Sequence, residues 1–229
     1  MTIETLLSLL QFSDGLFPAG GYAHSFGLET YIDDARVTTA DSVWKILRAH
    51  LEGSAGPCDA VFAVNALRAT AAEDLDACVE LDTTMDAIKN SAEPREASCQ
   101  LGRQTIRIAN TLIDHAVVTA YARTVKAGVT LGHHAVVFGI IGGACGWPPQ
   151  ATAAAFLYAS ATAMIGAATR LVPLGQTQAQ RLISDASTMI ARLAEAATMR
   201  SIEETFTFAP ALEIASMRHA QLEARLFRS

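Results

Sequence analysis

The stretch from residue 11 to residue 30, QFSDGLFPAGGYAHSFGLET, gathers the side chains with the clearest capacity for chemistry. Tyr22, His24, Ser25 and Glu29 lie within eight positions and could supply a hydroxyl nucleophile, an imidazole base and a carboxylate. Four glycines and a proline interrupt the apolar residues around them. Because glycine adopts backbone angles that other residues avoid and proline fixes φ, the stretch predicts a shaped loop that enters a helix.

The glycine spacing of this loop resembles that of a phosphate-binding loop. Gly15 and Gly20 are spaced as in the G-x-x-x-x-G-K-[ST] motif. Gly21 and Tyr22 stand where that motif needs a lysine for the phosphates and a hydroxyl for magnesium. No strand is predicted before the loop either. The sequence therefore argues against nucleotide binding at this position.

The segment around Ser25 also resembles the nucleophile elbow of hydrolases. Residues 23–27, Ala-His-Ser-Phe-Gly, differ by one residue from the G-x-S-x-G motif. That motif needs a strand-to-helix turn to expose its serine, and the chain predicts no sheet. A serine hydrolase is therefore disfavoured. The enzymatic alternative that stays open is an all-helical metal- or substrate-binding enzyme that uses His24, Ser25 and Glu29.

Histidine and cysteine spacing gives no sign of a metal site. The chain has six histidines and four cysteines, but no H-E-x-x-H motif and no C-x-x-C pair. His133 and His134 are adjacent, so on a helix they point about 100° apart and do not chelate together easily. We predict singly hydrogen-bonded histidines, no metal and no cofactor, although one histidine from each chain of a symmetric dimer could still build a site. The isolated cysteines favour a reducing, cytoplasmic compartment over disulfides.

Charge and hydropathy exclude further classes of protein. The net charge of −6 argues against a general nucleic-acid binder. The N-terminus, MTIETLLSLLQ, has no basic residue and predicts no cleaved signal peptide. Residues 127–169 contain no Asp, Glu, Lys or Arg, which is the one observation that suggests a membrane protein. Glycines and prolines divide this stretch into pieces of about thirteen and nineteen residues, so buried core helices are the preferred interpretation.

Helices must position these residues, because the chain shows helical periodicity and no useful alternation of strand type. Ile3, Leu6, Leu7 and Leu10 recur at the spacing of an amphipathic helix. The pattern predicts an all-α fold of about ten helices in a single domain, residues 1–229. The longer predicted helices cover residues 2–12, 73–89, 91–113, 114–126, 133–145, 149–168, 178–199 and 208–226.

Glycine and proline mark the breaks between helices. The segment from Gly53 to Gly56 is predicted to end one helix, and Pro57 to start the next. The structural loop positions are predicted to be Pro18, Gly20, Gly27, Pro173 and Gly175.

Two further surface patterns are visible. Within the helix at 149–168, alanine recurs every four residues from Ala155 to Ala167, which allows another helix to approach closely in a core or a dimer seam. The C-terminal RHAQLEARLFRS combines apolar residues with arginines. Such a terminus is either a frayed helix end or a docking helix that orders on a partner.

Blocks of residues along the whole chain resemble the UreF family of urease accessory proteins. Gly15 and Phe17 depart from the family pattern, where serine and leucine are usual, and they put only the local loop shape in question. The blocks are Asp14…Pro18-x-Gly20-Gly21-Tyr22-x-His24-Ser25-x-Gly27-Leu28-Glu29, Arg95-Glu96-x-Ser98-x-x-x-Gly102-Arg103, His134-x-x-x-Phe138-Gly139, Arg170-Leu171-x-Pro173-Leu174-Gly175-Gln176, Pro210-x-Leu212-Glu213-Ile214-x-Ser216-Met217-x-His219 and Arg225-Leu226-Phe227-Arg228-Ser229.

The resemblance implies an all-α, cytoplasmic homodimer that is not itself an enzyme. Members of the family bind the partner UreD, also called UreH, and together with it recruit the GTPase UreG to apo-urease. The assembled complex inserts nickel in a GTP-dependent step, and the family is also linked to modulation of the GTPase, in either direction. No cofactor, nucleic acid or membrane partner is implied.

The resemblance also suggests two partner-binding surfaces. We expect the first, which faces the GTPase or the urease complex, to hold Tyr22, His24, Ser25 and Glu29 together with Arg225 and Arg228. We expect the second, in a C-terminal docking tail of residues 218–229, to bind the UreD-like partner. Its residues are Arg218, His219, Leu222, Leu226 and Phe227. The alternative for the glycine loop is that its side chains lock the scaffold instead of meeting a partner.

Overall fold

The computed structural model describes residues 1–19 and 27–219, and all regular structure in those residues is helical. The predicted all-α class is confirmed, and ten of the α-helices have ten residues or more. The helices are α1 (Ile3–Ser13), α2 (Leu28–Asp33), α3 (Ala40–His50), α4 (Ala60–Ala71), α5 (Leu75–Ile88), α6 (Ala92–Leu112), α7 (Ala116–Lys126), α8 (His134–Ala144), α9 (Pro149–Leu171), α10 (Gln176–Met199) and α11 (Pro210–His219).

Helix α8 lies at the centre, and residues 135–142 are buried on every side. A helix that is apolar all round must be enclosed by others, and α8 packs chiefly on α4 and α6. Glycine allows the closest of these contacts. A Cβ atom on Gly139 would lie 2.1 Å from the carbonyl oxygen of Ala63, so the α4 and α8 backbones meet almost directly.

Helices α4 and α9 separate two apolar clusters. Val61 and Val64 of α4 belong to a cluster with α3, α9 and α10, whereas Phe62 and Ala66 belong to one with α6, α7 and α8. Helix α9 likewise gives Leu157 to the first cluster and Phe156 to the second. The two clusters share these helices, so the core is continuous across the fold.

The chain between α3 and α4 differs from the prediction. Instead of a break, residues Leu51–Asp59 form a π-helical segment that joins the two helices. Pro57 has no N–H to donate to the carbonyl of Gly53 four residues earlier. That carbonyl instead accepts a hydrogen bond of 2.6 Å from the N–H of Phe208, just before α11. The sequence predicts a break over Gly53–Gly56 and a new helix from Pro57, because the substitute donor, 155 positions away, leaves no local signal.

Helix α9 is long and apolar enough to cross a membrane, judged by length and composition among the described residues. One face of α9, which includes Ala153, Leu157, Ala161 and Met164, is fully buried in the first cluster. This burial agrees with the expected core helix. Of the alanine repeat, Ala167 is buried in the first cluster, whereas Ala155, Ala159 and Ala163 are only half-buried and line a groove. Within the described chain the repeat therefore does not serve close packing of a second helix along its length.

Other predicted features can be located directly. Cys58, Cys78 and Cys99 are buried, Cys145 is half-buried, and all four are free thiols, as expected. Pro173 lies in the short connection between α9 and α10. Gly175 precedes α10, where its N–H donates to the side chain of Gln178 at 3.1 Å. Pro18 is exposed in a turned segment after α1.

A matched pair of glycine substitutions tests the α4–α8 contact. We expect Gly139→Ala to destabilise the fold by about 1–3 kcal/mol, because the new methyl group must push α4 away. Gly166→Ala in α9 has no atom within 4 Å of its Cβ position, so it should be neutral or stabilise by up to ~1 kcal/mol through helix propensity. Urea denaturation measures both. Equal effects of the two substitutions would contradict the proposed close contact.

Candidate functional site

The start of α2, the start of α6 and the end of α11 meet at a buried histidine. His219 is 1% exposed, and its Nε2 lies 2.9 Å from Oε2 of Glu29. Its Nδ1 lies 3.0 Å from Oε2 of Glu93 in the first turn of α6. We call these three residues the His219 junction. It ties together positions that are 190 and 126 residues apart in sequence.

Both ring nitrogens of His219 have a carboxylate partner. A neutral imidazole carries one N–H donor, yet both ring nitrogens of His219 face a carboxylate oxygen. The geometry is therefore satisfied by an imidazolium between two carboxylates, or by one carboxyl group that keeps its proton. Hydrogen bonds to charged groups are stronger than neutral ones, and a buried charged group is costly once a partner is removed. The arrangement thus holds three helices in a fixed relation.

Local sequence brings α2 and α11 close enough for this contact. Gly27 has φ of +78°, a left-handed angle that favours glycine, and it starts α2. A Cβ atom there would lie 3.0 Å from Oγ of Ser216 and 3.3 Å from the carbonyl oxygen of Leu212. Thr30 Oγ1 then donates to the carbonyl oxygen of Ala215 at 2.8 Å. The left-handed angle and this close approach both favour glycine at position 27.

An ion pair lies on the exposed side of the same contact. Arg218 donates from two nitrogens to Asp34 at 2.7 and 3.0 Å. The hydrogen bond from Arg218 lowers the pKa of the Asp34 carboxyl. Arg218 is about half exposed, so this pair adds orientation more than stability. In this chain Arg218 is thus engaged with α2.

The structure brings together two residues that the sequence analysis assigned to separate partner surfaces. Glu29 and His219 contact each other and are 7% and 1% exposed, so within this chain they lock the scaffold instead of facing outward. The remaining predicted partner residues and one predicted loop glycine lie outside the described residues: Gly20, Tyr22, His24, Ser25, Leu222, Arg225, Leu226, Phe227 and Arg228. Their assignment stays a prediction.

Glu93 is the junction residue that sequence reasoning missed. The available signal was its place in the first turn of a helix, just before Pro94, where a carboxylate suits the positive end of the helix dipole. Nothing local connects it with position 219. Arg95, two residues further along α6, lies 3.7 Å from Asp86.

A groove of about 1210 Å³ adjoins the junction. The half-buried face of α9, the end of α1 with the residues up to Ala19, and Ser216 of α11 all line it. Its lining includes polar pairs. Lys89 Nζ donates to Asp59 at 2.8 Å, and His50 Nε2 lies 2.8 Å from Ser160 Oγ. Burial lowers the pKa of His50 to about 4, so this side chain is neutral at physiological pH. The polar side chains named here are paired with each other, and the rest of the groove lining is mostly apolar.

The sequence resembles those of known proteins along almost its whole length. The sequence model of the family described as UreF matches residues 37–187. The urease accessory protein UreF of Lachnoclostridium phytofermentans is 32% identical over 224 residues, which cover 98% of each chain. The protein of the same name from Bacillus sp. (strain TB-90) is 29% identical over 227 residues, 99% of this chain and all of that protein. That of Paenarthrobacter aurescens is 31% identical over 229 residues, the whole of both chains.

Substitutions at adjacent residues test the junction. His219→Ala leaves two carboxylates without their shared donor, and we expect it to destabilise the packing of α11 by about 3 kcal/mol or more. Arg218→Ala removes only the exposed pair and should have a much smaller effect. Hydrogen exchange of α2 and α11, together with urea denaturation, measures both variants. Equal protection of the two helices in the two variants would contradict the role given to His219.

The neutral state of His50 predicts a pH dependence of stability. The unfolded chain takes up a proton near the ordinary pKa of 6.5, and the folded chain only near about 4. The stabilisation is therefore complete above pH 6.5 and is lost as the pH falls towards 4. Between pH 8 and pH 5 this amounts to about 2 kcal/mol. His50→Gln should remove that part of the slope in urea denaturation. A variant with the slope of the parent protein would show that another group is responsible.

Proposed function

Because the chain belongs to the UreF family of urease accessory proteins, we propose that it is a non-enzymatic adaptor for nickel insertion into urease. In this role it binds UreD (UreH) and with it recruits the GTPase UreG to apo-urease, so that nickel is inserted in a GTP-dependent step. The observation that carries the proposal is the match to UreF proteins along essentially the whole chain. A cytoplasmic location and an effect on the GTPase itself are parts of the same proposal.

The His219 junction argues against the enzymatic alternative. That alternative needs the Glu29 carboxylate beside His24 and Ser25. In the described chain Glu29 is buried and bonded to His219, so its carboxylate is occupied by a scaffold contact. A general base must reach the proton that it removes, and a buried, hydrogen-bonded carboxylate is poorly placed for this. An adaptor role does not require such a base.

The outer face of α11 supports docking of the UreD-like partner at the C-terminal end. Leu212 and Ala215 are buried on its inner face, whereas Ile214 and Met217 are 57% and 52% exposed. Phe208, just before the helix, is 76% exposed. Exposed apolar side chains that lie together mark protein interaction surfaces. We place the partner on this face and on the residues that follow His219.

The groove beside α9 supports a second contact, the homodimer. Its α9 lining consists largely of small residues, with the exposed Tyr158 among them. Small side chains permit close approach of another helix. We place the dimer seam along this face, and measurement of the molecular mass in solution tests the oligomeric state.

A truncation and two point variants test partner docking. Arg218 and His219 belong to the fold, so the informative deletion removes residues 220–229 only. We expect this deletion and Ile214→Ser to reduce co-purification with UreD while helical content is retained. Leu7→Ser is the matched control, because Leu7 is 59% exposed on α1 and Ile214 is 57% exposed on α11. Undiminished UreD binding by the deletion and by Ile214→Ser would refute this surface.

A reconstituted activation assay tests the adaptor role as a whole. Apo-urease, UreD, UreG, GTP and nickel are incubated with and without this chain. We expect urease activity to appear only when the chain and GTP are both present. Activation that is independent of the chain would overturn the proposal. Turnover of a substrate by the purified chain alone would favour the enzymatic alternative.

A further inference from the structure

Three side chains with metal-binding atoms converge where α5, α6 and the start of α8 meet, at a place separate from the His219 junction. They are Asp86, Cys99 and His133, and one ligand atom of each lies within 4.8 Å of the others. We propose that these residues form a binding site for a late first-row divalent ion of the Zn²⁺, Co²⁺ or Ni²⁺ type. A thiolate, an imidazole and a carboxylate together suit such borderline ions better than Mg²⁺ or Ca²⁺. The inference does not depend on the proposed adaptor function.

Two of the three distances between the ligand atoms match those around a bound ion, and the third, between Cys99 Sγ and an Asp86 oxygen, is at most 4.8 Å. His133 Nε2 lies 3.3 Å from Asp86 Oδ1, and Cys99 Sγ lies 3.6 Å from each ring nitrogen. Around a tetrahedral ion with bonds of about 2.0 Å to nitrogen and oxygen and 2.3 Å to sulfur, neighbouring ligand atoms lie about 3.3–3.6 Å apart. The 3.3 Å separation of nitrogen and oxygen is slightly longer than a usual N–H···O hydrogen bond. Because Sγ is equally far from both nitrogens, it must turn towards the Nε2 edge to share an ion with Asp86.

The backbone around His133 is held by a second carboxylate. Asp82, which is 1% exposed, accepts hydrogen bonds from the N–H groups of Leu131, Gly132 and His133 and from the hydroxyl of Thr130. The bond to the His133 N–H is 2.6 Å long. This ring of bonds fixes the backbone from which the imidazole projects. A ligand that is fixed before an ion arrives loses little entropy on binding.

Close packing against α6 restrains the same loop. A Cβ atom on Gly102 would lie 1.9 Å from the carbonyl oxygen of Gly132, so the loop backbone rests directly on α6 near Cys99. The sulfur and the imidazole are therefore held at a defined separation although they come from different elements. Cys99 and His133 are 34 positions apart, so the spacing of histidines and cysteines in the sequence does not reveal that they meet.

Ser98 supplies the outer support that metal-binding histidines commonly have. Its Oγ lies 3.1 Å from His133 Nδ1 and accepts a bond of 3.3 Å from the His134 N–H. In the ion-free state, the tautomer with its hydrogen on Nε2 accepts from the hydroxyl at Nδ1 and donates to Asp86. When an ion occupies Nε2, the imidazole carries its hydrogen on Nδ1 and donates to the hydroxyl oxygen. The imidazole stays neutral throughout, and the one proton released comes from the thiol.

Charge and access are consistent with an exchangeable ion. The Cys99 thiolate and the Asp86 carboxylate together neutralise a divalent cation. Burial raises the pKa of the Cys99 thiol to about 11, so at neutral pH the ion must displace that proton. Cys99 and His133 are buried, whereas the Asp86 side chain is 29% exposed and offers the route of entry. Three protein ligands leave a fourth position for water, as in sites that exchange their ligands.

Cobalt titration of the full-length, metal-free chain tests the site. Co²⁺ bound to a thiolate gives a charge-transfer absorption that carboxylate and imidazole ligands do not give. We expect one equivalent of Co²⁺ per chain to produce this absorption, and Zn²⁺ and Ni²⁺ to remove it by competition. Cys99→Ala should abolish the absorption. Asp86→Asn, which keeps the size of the side chain, should retain it with at least ~10-fold weaker affinity.

Cys78→Ala is the matched control, because Cys78 is also a buried thiol but pairs with Thr70 outside the cluster. It should leave the titration unchanged. Circular dichroism confirms the fold of each variant, and if Cys99→Ala fails to fold, Asp86→Asn decides. The inference is refuted by absence of the absorption in the parent chain, by its persistence in Cys99→Ala, or by unchanged affinity in Asp86→Asn. Because urease and its other accessory proteins are absent, none of these outcomes bears on the adaptor role.

Discussion

One buried imidazole between two carboxylates determines how the two ends of this chain relate to each other. His219 closes α11, Glu29 opens α2, and Glu93 opens α6. The pairing of both ring nitrogens makes each of the three helices depend on the other two. Weaker contacts around the junction join the same two helices, α2 and α11. They are the hydrogen bond from the Thr30 hydroxyl and the exposed ion pair of Arg218 with Asp34. The face of α11 that remains outside is therefore presented in a fixed orientation.

The helices could be predicted from sequence because their signals are local. Apolar spacing places α1, α5, α6 and α10 within a few residues of their observed ends. The π-helical segment could not be predicted, since the bond that replaces the one lost at Pro57 comes from Phe208. Periodicity reflects residues that are close along the chain, and it gives no information about hydrogen-bond donors from distant segments.

The candidate sites show the same difference between local signals and tertiary contacts. The sequence drew attention to the N-terminal loop and assigned its Glu29 carboxylate to a partner surface. Burial of Glu29 and its pairing with His219 depend on tertiary packing, which a single sequence does not reveal. Cys99 and His133 are 34 residues apart and meet only because Gly102 lets the loop approach α6. Spacing rules find chelating pairs on one element and miss pairs assembled from two.

The hydrogen bond between Gly53 and Phe208 has a consequence beyond the segment where it occurs. It fixes the position of the chain just before α11, because Phe208 lies two residues before Pro210. A shift of one residue there would turn α11 by about 100° and carry His219 away from both carboxylates. The absence of an N–H group at Pro57 thus helps to set the register of α11, which is distant in sequence.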